Sequence, residues 1–206
     1  MTHERIVFFA MLFPSIILHE VSHGWVANSF GDDTAKRAGR LTLNPIAHID
    51  PFGTIILPVL LIATTGRAFG YAKPVPVNPR NLRHPRDQSL LVSLAGPGVN
   101  IALALMAAFA LRRVFTPGEP VQVWSLADFL LNLGYANVLL AAFNLIPLPP
   151  LDGSALVERL LPRSWWPGYL RIRQYSMGAL LILVLLLPGV LSHVFNWALD
   201  LWLRLL

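Results

Sequence analysis

The sequence contains no cysteine and few charged residues. Without cysteine, the chain has no disulfide framework, no thiolate-bound zinc or iron–sulfur cluster and no thiol nucleophile. Charged residues make up 13% of the 206 residues and hydrophobic residues 55%, whereas soluble domains carry about 25% charged residues. So few charges cannot cover a globule of this size with polar surface, which disfavours an ordinary water-soluble enzyme.

Acidic residues are fewer than basic residues. The chain has 11 acidic and 16 basic residues, which gives a net charge of +5. No basic and aromatic motif of the nucleic-acid-binding kind accompanies this charge, so we expect no nucleic-acid partner. The charge suits anionic lipid headgroups, and the expected environment is a lipid bilayer.

Long apolar runs are abundant. Three of them, Ile6–Asn28, Leu90–Leu111 and Ser125–Pro147, are long enough for helices that cross a hydrocarbon core, which takes roughly 20 residues. A fourth tract begins at Tyr175 and is interrupted by Pro188-Gly189. It fits either one kinked span or a helical hairpin.

Two shorter segments lie between the first two spans. Thr54–Ala63 is too short to cross and is predicted to be a re-entrant half-helix. The proline-rich, alternating stretch after it, residues 69–87, predicts extended or β-hairpin-like backbone. His48 and Asp50, in the turn before the half-helix, fit either residues that support the metal ligands or residues that hold the loop together, and we favour the second. The expected fold is an all-α polytopic membrane protein with these additions, divided into a core at 1–160 and a C-terminal transmembrane tract at 161–206.

The first span carries the most specific chemical signal, the sequence His-Glu-Val-Ser-His at 19–23. On a helix, positions four residues apart lie about 40° apart and one turn up, so His19 and His23 can bind one metal ion. Glu20 lies beside them, placed to act on a water at that metal. An ionised acid at a membrane-helix centre costs about 2.5 to 3.5 kcal/mol, so such a residue indicates a cation or a function.

Two histidines leave a catalytic zinc site incomplete, because such sites usually have three protein ligands. Among the remaining histidines and acids, Asp152 stands out, because it follows an apolar span in the sequence Asn-Leu-Ile-Pro-Leu-Pro-Pro-Leu-Asp-Gly at 144–153. The prolines break the helix and leave extended backbone, from which Asp152 can reach inward. An ordinary turn with a solvated aspartate explains these residues equally well.

Three motifs together resemble the site-2 protease family of intramembrane zinc metalloproteases, in its short form without a PDZ domain. They are HEVSH at 19–23, SLAGPGVN at 93–100 and FNLIPLPPLDG at 143–153. The resemblance implies one Zn²⁺ ion bound by His19, His23 and Asp152, with Glu20 as the general base. It also implies peptide-bond hydrolysis in a transmembrane protein or peptide substrate.

Two asparagines and a group of small residues are less decisive. Asn144 matches a position implicated by the resemblance in substrate or oxyanion contact, although an interhelical hydrogen bond explains a buried amide equally well. Asn100 matches the end of the second motif and is a second candidate for that contact. The small residues Ala95, Gly96 and Gly98 are interpreted as a close-packing face toward the zinc helix.

Sharing one ion between the first and third spans fixes the topology, because both must end on the same membrane side. With a re-entrant half-helix, that side carries 12 of the 16 Lys and Arg residues. Cytoplasmic loops are enriched in these residues, so we expect a multi-pass protein of a prokaryotic cell membrane with its active site toward the cytoplasm.

Two other functions remain open from the sequence. A membrane metal-binding or transport protein would use the same three ligands, but it would need further histidines or acids along a path, and the other spans contain almost none. A catalytically silent homologue would bind membrane helices without cutting them. The intact Glu20 argues against this second alternative.

Overall fold

The computed structural model describes residues 3–65, 70–114 and 120–206. These residues are mainly helical, with short turns and extended linkers between the helices. In chain order the helices are α1 (His3–Ser29), α2 (Thr34–Arg37), α3 (Leu57–Thr65), α4 (Pro85–Val114), α5 (Leu126–Asn144), α6 (Ser154–Leu160), α7 (Trp166–Arg173), α8 (Ser176–Leu186) and α9 (Pro188–Leu203). Short 3-10 or π-helical turns occur at Pro45–His48, Pro51–Ile56, Pro79–Asn81 and Arg163–Trp165.

The three predicted spans are confirmed as α1, α4 and α5. Each is apolar and long enough to cross a membrane: 25 residues of α1 from Arg5, the 30 residues of α4 and the 19 residues of α5. At 1.5 Å rise per residue, α4 is about 45 Å long and therefore extends beyond a hydrocarbon core of about 30 Å. The protein is an integral membrane protein.

The three spans alternate in direction. His23 lies beside Val92 and His19 beside Asn100, so α1 and α4 are antiparallel. His3, at the start of α1, lies 3.9 Å from Asp128 in the first turn of α5, so α1 and α5 begin on the same side. The ends of α1 and α5 therefore share a side, as a common metal centre requires.

Small residues allow the helices to pack closely away from the metal centre. The apolar core between α4, α5 and α9 contains Ala104, Ala107 and Ala108. Trp202 of α9 packs against Gly134 so tightly that a Cβ there would lie 2.0 Å from the indole ring. The Trp202 indole N–H also donates to the carbonyl oxygen of Ala104 at 2.8 Å. Trp202 therefore packs the C-terminal tract against both α4 and α5.

The short apolar segment leaves and returns at the same level of the bundle. A π-helical turn, Pro51–Ile56, continues into α3, and the amide of Tyr71 then donates to the carbonyl oxygen of Gly53 at 3.0 Å. The apolar helix here is shorter than a membrane span, and the residues before and after it lie side by side. His48 contacts the carbonyl oxygen of Thr42 at 2.8 Å, and the Asp50 carboxylate accepts from the Gly53 amide at 2.7 Å, so both side chains hold the loop together.

The prediction of short β-hairpin-like segments is wrong for the part of the chain that the structure describes, which contains no strand. Residues 70–78 are extended, but Pro74 and Pro76 have no amide hydrogen for a ladder. The alternate amides of the segment donate to separate partners instead, those of Lys73 and Val75 to the His48 carbonyl and the Glu20 carboxylate. Phe69, the first residue of the predicted segment, lies outside the described residues.

The C-terminal tract is broken after α8. Met177 and Leu180 of α8 lie near His19, whereas the carbonyl oxygen of Leu205, beyond α9, accepts a hydrogen bond from Arg112 at the far end of α4. The tract therefore starts at the level of the histidines and ends on the opposite side. One residue, Leu187, separates α8 from Pro188, where α9 begins.

One buried carboxylate anchors the extended segment to the end of α1. Asp32 is fully buried and accepts hydrogen bonds from the amide of Asn78 at 2.6 Å, the side chain of Asn81 at 2.9 Å, and Thr34. Burial by itself would raise the pKa of the Asp32 carboxyl, but these hydrogen bonds outweigh burial and hold its pKa below the ordinary value. The charged form therefore stabilises the fold.

We expect Asp32→Asn to lower the free energy of unfolding by about 2 kcal/mol, because it weakens several charge-assisted hydrogen bonds. Since folding lowers this pKa, the stabilisation is complete above the unfolded-state value of about 3.9 and is lost as pH falls through the folded-state pKa. Unfolding in detergent across pH 3 to 7 measures both effects. Asp33→Asn is the matched control, because Asp33 forms only an exposed pair with Arg37; an equal loss in both variants would contradict the prediction.

Candidate metal centre

The two histidines and Asp152 come together as a compact group of three ligand atoms. His19 and His23 lie one turn apart on α1, with ring centroids 4.8 Å apart. Their Nε2 atoms lie 3.1 and 3.4 Å from Asp152 Oδ2. Within the described residues, this is the one group of three or more histidine or acidic side chains that could hold a metal ion.

The chain after α5 folds back to bring Asp152 to the histidines. Helix α5 ends at Asn144, and the Asn144 carbonyl oxygen accepts a hydrogen bond from the Gly153 amide at 2.6 Å. A Cβ on Gly153 would lie 2.3 Å from the Leu145 carbonyl oxygen, so only glycine fits this close return. Pro147, Pro149 and Pro150 prevent the helix from continuing. The proline-rich motif therefore works as a reversal that presents Asp152 inward.

The hydrogen bonds of the two imidazoles leave both Nε2 atoms free for a cation. His19 Nδ1 lies 2.6 Å from Asn100 Oδ1, and His23 Nδ1 lies 2.7 Å from the carbonyl oxygen of Val92. Both partners only accept hydrogen bonds, so each neutral ring carries its hydrogen on Nδ1 and a lone pair on Nε2. These lone pairs face Asp152 Oδ2, which is buried and accepts no hydrogen bond.

This donor set fits zinc. Three electron-rich atoms facing one another are unfavourable unless a metal ion or a proton lies among them. Zinc bonds of 2.0 to 2.1 Å in a tetrahedron place neighbouring ligand atoms about 3.3 Å apart, close to the two measured distances of 3.1 and 3.4 Å. Two neutral imidazoles and a carboxylate are also ligands that zinc prefers.

Gly96 of α4 allows the ligands to approach one another. A Cβ at this position would lie 2.5 Å from His23 Nε2 and 2.6 Å from His19 Nε2. The predicted small face is therefore correct at Gly96, which lies directly against the two histidines. Gly98 points into open space, so it is not part of that face.

Glu20 lines a cavity beside the three ligand atoms. Its Oε2 accepts a hydrogen bond from the amide of Val75 at 2.9 Å, which holds the half-buried carboxylate against the extended segment. The cavity has a volume of about 380 Å³ and also contains the side chains of His19, Asn144 and Asp152. Most of its remaining lining is apolar, including Leu180 of α8.

The two asparagines lie in different surroundings. Asn144 lines the cavity. Its amide nitrogen donates to the carbonyl oxygen of Leu140 in its own helix at 3.0 Å, which is a bond within α5 and not between helices. Asn100 is fully buried behind His19 and is not among the residues that line the cavity. Its side chain contacts a ligand and does not face the space open to a substrate.

Sequence reasoning missed several residues around the ligands. Asn137 of α5 is fully buried and hydrogen-bonded to Asn100 at 2.7 Å, and Ser15 lies on its other side at 2.8 Å. An amide in the middle of an apolar span was an available signal for Asn137, since such a group needs a partner in the membrane. The backbone contributions of Val75 and Val92 have no side-chain signal in the sequence.

The fold and this site define a class: an integral membrane protein whose spanning helices carry a zinc-type ligand set beside a carboxylate. The family model described as peptidase family M50 matches residues 7–121 and 113–187. The chain belongs to this family, the site-2 protease family, and is a metallopeptidase.

Relatives from bacteria and an archaeon agree with this assignment. The chain is 42% identical to YwhC of Bacillus subtilis over 89% of this chain and 81% of that protein. It is 36% identical to Rip2 of Mycobacterium tuberculosis over 91% of this chain and 70% of that protein. Both relatives carry provisional names as zinc metalloproteases. Zinc metalloprotease MJ0392 of Methanocaldococcus jannaschii is 26% identical, over 90% of this chain and 43% of that protein. No solved structure matches the chain significantly.

We expect Gly96→Ala to lower zinc affinity by about tenfold or more, because the added methyl group pushes both imidazoles off their positions. Zinc per protein, measured by mass spectrometry of the purified protein in detergent, reports the loss. Gly98→Ala adds the same methyl group two residues away in open space and should retain wild-type zinc content. Full zinc content in Gly96→Ala would show that the ligands do not meet at this face of α4.

Proposed function

We propose that this protein is an intramembrane zinc endopeptidase that hydrolyses peptide bonds of transmembrane proteins or peptides. The observation that carries the proposal is the convergence of two imidazole Nε2 atoms and one buried carboxylate oxygen beside Glu20 in a cavity among spanning helices. Family membership supports the metallopeptidase part of this proposal. The motif resemblance implies the transmembrane substrate and the residue roles, and the arrangement of His19, His23, Asp152 and Glu20 supports those roles.

In this proposal His19, His23 and Asp152 bind one zinc ion. When bound, zinc supplies a Lewis acid that polarises the scissile carbonyl and lowers the pKa of water. The neutral imidazoles are held in the metal-binding form by the acceptors at their Nδ1 atoms. The Asp152 carboxylate offsets part of the metal charge in an environment that solvates charge poorly.

Glu20 is the proposed general base. Its carboxylate takes the proton of the attacking water and returns it to the leaving amine. The amide of Val75 occupies one lone pair of Oε2 and so restrains the rotation of the carboxylate. Because Val75 lies in the extended segment, the fold couples that segment to the position of the base.

The cavity suits an unwound, apolar peptide. Its lining is mostly apolar, with polar groups concentrated at His19, Glu20, Asn144 and Asp152. A helical peptide has its carbonyl groups in internal hydrogen bonds, so a substrate must unwind locally before attack. Asn144 is the proposed substrate contact, because its amide lines the cavity together with His19, Glu20 and Asp152. The proposed catalytic core is residues 1–160, and the 161–206 tract contributes cavity lining such as Leu180.

The rival functions explain less of the arrangement. A transport path needs successive metal-binding groups, and the described residues contain one such group. A silent homologue has no use for a carboxylate held beside the ligands, as Glu20 is. Hydrolysis gives a role to His19, Glu20 and Asp152 together.

Replacing Glu20 with glutamine should lower peptide hydrolysis by about 10² to 10⁴-fold, because the amide keeps the shape but accepts no proton. Zinc content should not change, since Glu20 is not a proposed ligand. Asp152→Ala should lose both zinc and activity. The assay is cleavage of a reporter containing a transmembrane segment, in detergent with zinc. Wild-type rates in Glu20→Gln would remove Glu20 as the base, and full zinc content in Asp152→Ala would remove Asp152 as a ligand.

The active site is proposed to lie toward the cytoplasm. The absence of native cysteine allows single exposed cysteines to report each side. Arg80→Cys, next to the extended segment, should react with a membrane-impermeant maleimide only after cells are lysed. Gln122→Cys, just before α5, should react in intact cells, because both residues are exposed on opposite sides of the bundle. The reverse pattern would invert the proposed orientation.

A further inference from the structure

A chain of buried polar side chains extends from His19 into the apolar middle of the bundle. Asn100 on α4 contacts His19 Nδ1 at 2.6 Å and donates to Asn137 on α5 at 2.7 Å. Asn137 donates to Ser15 on α1 at 2.8 Å. All four side chains are buried, with exposures of 5% for His19, 1% for Ser15 and 0% for both asparagines. Ser15, Asn100 and Asn137 are not among the residues that line the cavity.

Backbone carbonyls fix the direction of every hydrogen bond in the chain. One end of the Asn137 amide lies 2.8 Å from the carbonyl oxygen of Leu133, which only accepts, so that end is the nitrogen. The oxygen of Asn137 therefore faces Asn100, which must present its own nitrogen there. The oxygen of Asn100 is left facing His19 Nδ1, and that atom must carry the hydrogen.

The other end of the chain is fixed in the same way. Ser15 donates its hydroxyl hydrogen to the carbonyl oxygen of Met11 at 2.7 Å, so toward Asn137 it is an acceptor. Both hydrogens of the Asn137 nitrogen are therefore used, one by Ser15 and one by Leu133. No amide in the chain can turn over without placing two acceptors or two donors face to face in an apolar interior.

We propose that Ser15, Asn137 and Asn100 are positioning residues that fix the tautomer and ring orientation of His19, so that its Nε2 lone pair is directed at zinc. The inference rests on the metal centre of the proposed function. It assigns Asn100 to ligand positioning in place of substrate contact, and it brings two further residues, Ser15 and Asn137, into the site. The same hydrogen bonds also join α1, α4 and α5, and the tests below separate this packing role from the positioning of His19.

His23 does not need the hydrogen-bonded side chains that support His19. Its Nδ1 atom faces the carbonyl oxygen of Val92, a backbone group that is held by α4 itself. The acceptor for His19 is a side chain that could rotate, and the next two members of the chain prevent that rotation. Substitutions in the chain should therefore loosen His19 and leave the contacts of His23 in place.

The first test compares two substitutions of Asn100. Asn100→Leu removes the acceptor at Nδ1 and should weaken zinc binding by about 10 to 100-fold. Asn100→Asp keeps an acceptor oxygen toward His19 Nδ1 and, when protonated, a donor toward Asn137, so it should lose less affinity than Asn100→Leu. The dissociation constant is measured in detergent by competition with a chromophoric zinc chelator. Equal affinities in wild type and Asn100→Leu would overturn the proposal, as would an equal loss in both variants.

The second test acts from a distance on α5. Asn137→Leu does not touch His19, yet it removes the groups that orient Asn100, and it should also weaken zinc binding by about tenfold. Asn132→Leu is the matched control on the same helix, because the Asn132 side chain donates hydrogen bonds to Asp128 and is not part of the group that supports His19. It should bind zinc like wild type. If both leucine variants weaken zinc binding equally, the effect is one of packing and the proposal fails. This pair decides the question even if Asn100→Leu does not fold.

A spectroscopic measurement separates this inference from the proposed function. In metal-free protein labelled with ¹⁵N-histidine, the His19 signal, assigned by comparison with His19→Ala, should be that of the Nδ1–H tautomer. In Asn137→Leu it should shift toward a mixture of tautomers, and an unchanged tautomer there would overturn the proposal. If the wild-type protein binds no zinc, the proposed function fails, while the tautomer is still measured. If it binds zinc and the variants match it, only the positioning chain is wrong.

Discussion

Three electron-rich atoms that face one another among apolar helices need a cation, and the fold around the metal centre is arranged to hold them there. Each neutral imidazole directs its N–H away from the metal centre, His19 toward Asn100 and His23 toward the Val92 carbonyl. Asp152 points a buried oxygen at both rings. In water such groups would find other partners, but inside a membrane protein the alternatives are few, so the hydrogen bonds behind the ligands determine their geometry.

Two different kinds of chain geometry supply the ligands. The histidines are one turn apart on a single helix, so local backbone geometry alone places them side by side. Asp152 arrives by a reversal after α5, closed by the contact of Gly153 with the backbone of Asn144. Helix α4 joins the two, because Gly96 lets it pass against the rings. The metal centre therefore depends on all three spans at once and ties the ends of α1 and α5 to one side.

The segment that contains α3 and the extended segment after it bond to α1 and to Glu20. Prolines free this stretch from sheet pairing, and its remaining amides bond to separate elements, among them His48 and the Glu20 carboxylate. Asp32 fastens the far end of the same stretch to the end of α1. A strand pairing would have used these amides for a neighbouring strand. Here they position a loop and, through Val75, the Glu20 carboxylate.

The sequence by itself determined what local periodicity and composition control: three spans, the pairing of His19 with His23, and a short segment that does not cross. The motif resemblance added Asp152, which spacing alone left undecided between a ligand and a turn. Only the tertiary structure decided that Asn100 lies behind His19 and not beside the cavity, that Asn137 and Ser15 continue its hydrogen bonds, and that residues 70–78 pair with no strand. Those outcomes depend on which helix faces meet and on which acceptor each amide reaches, and contacts between distant segments leave no periodic trace in the chain.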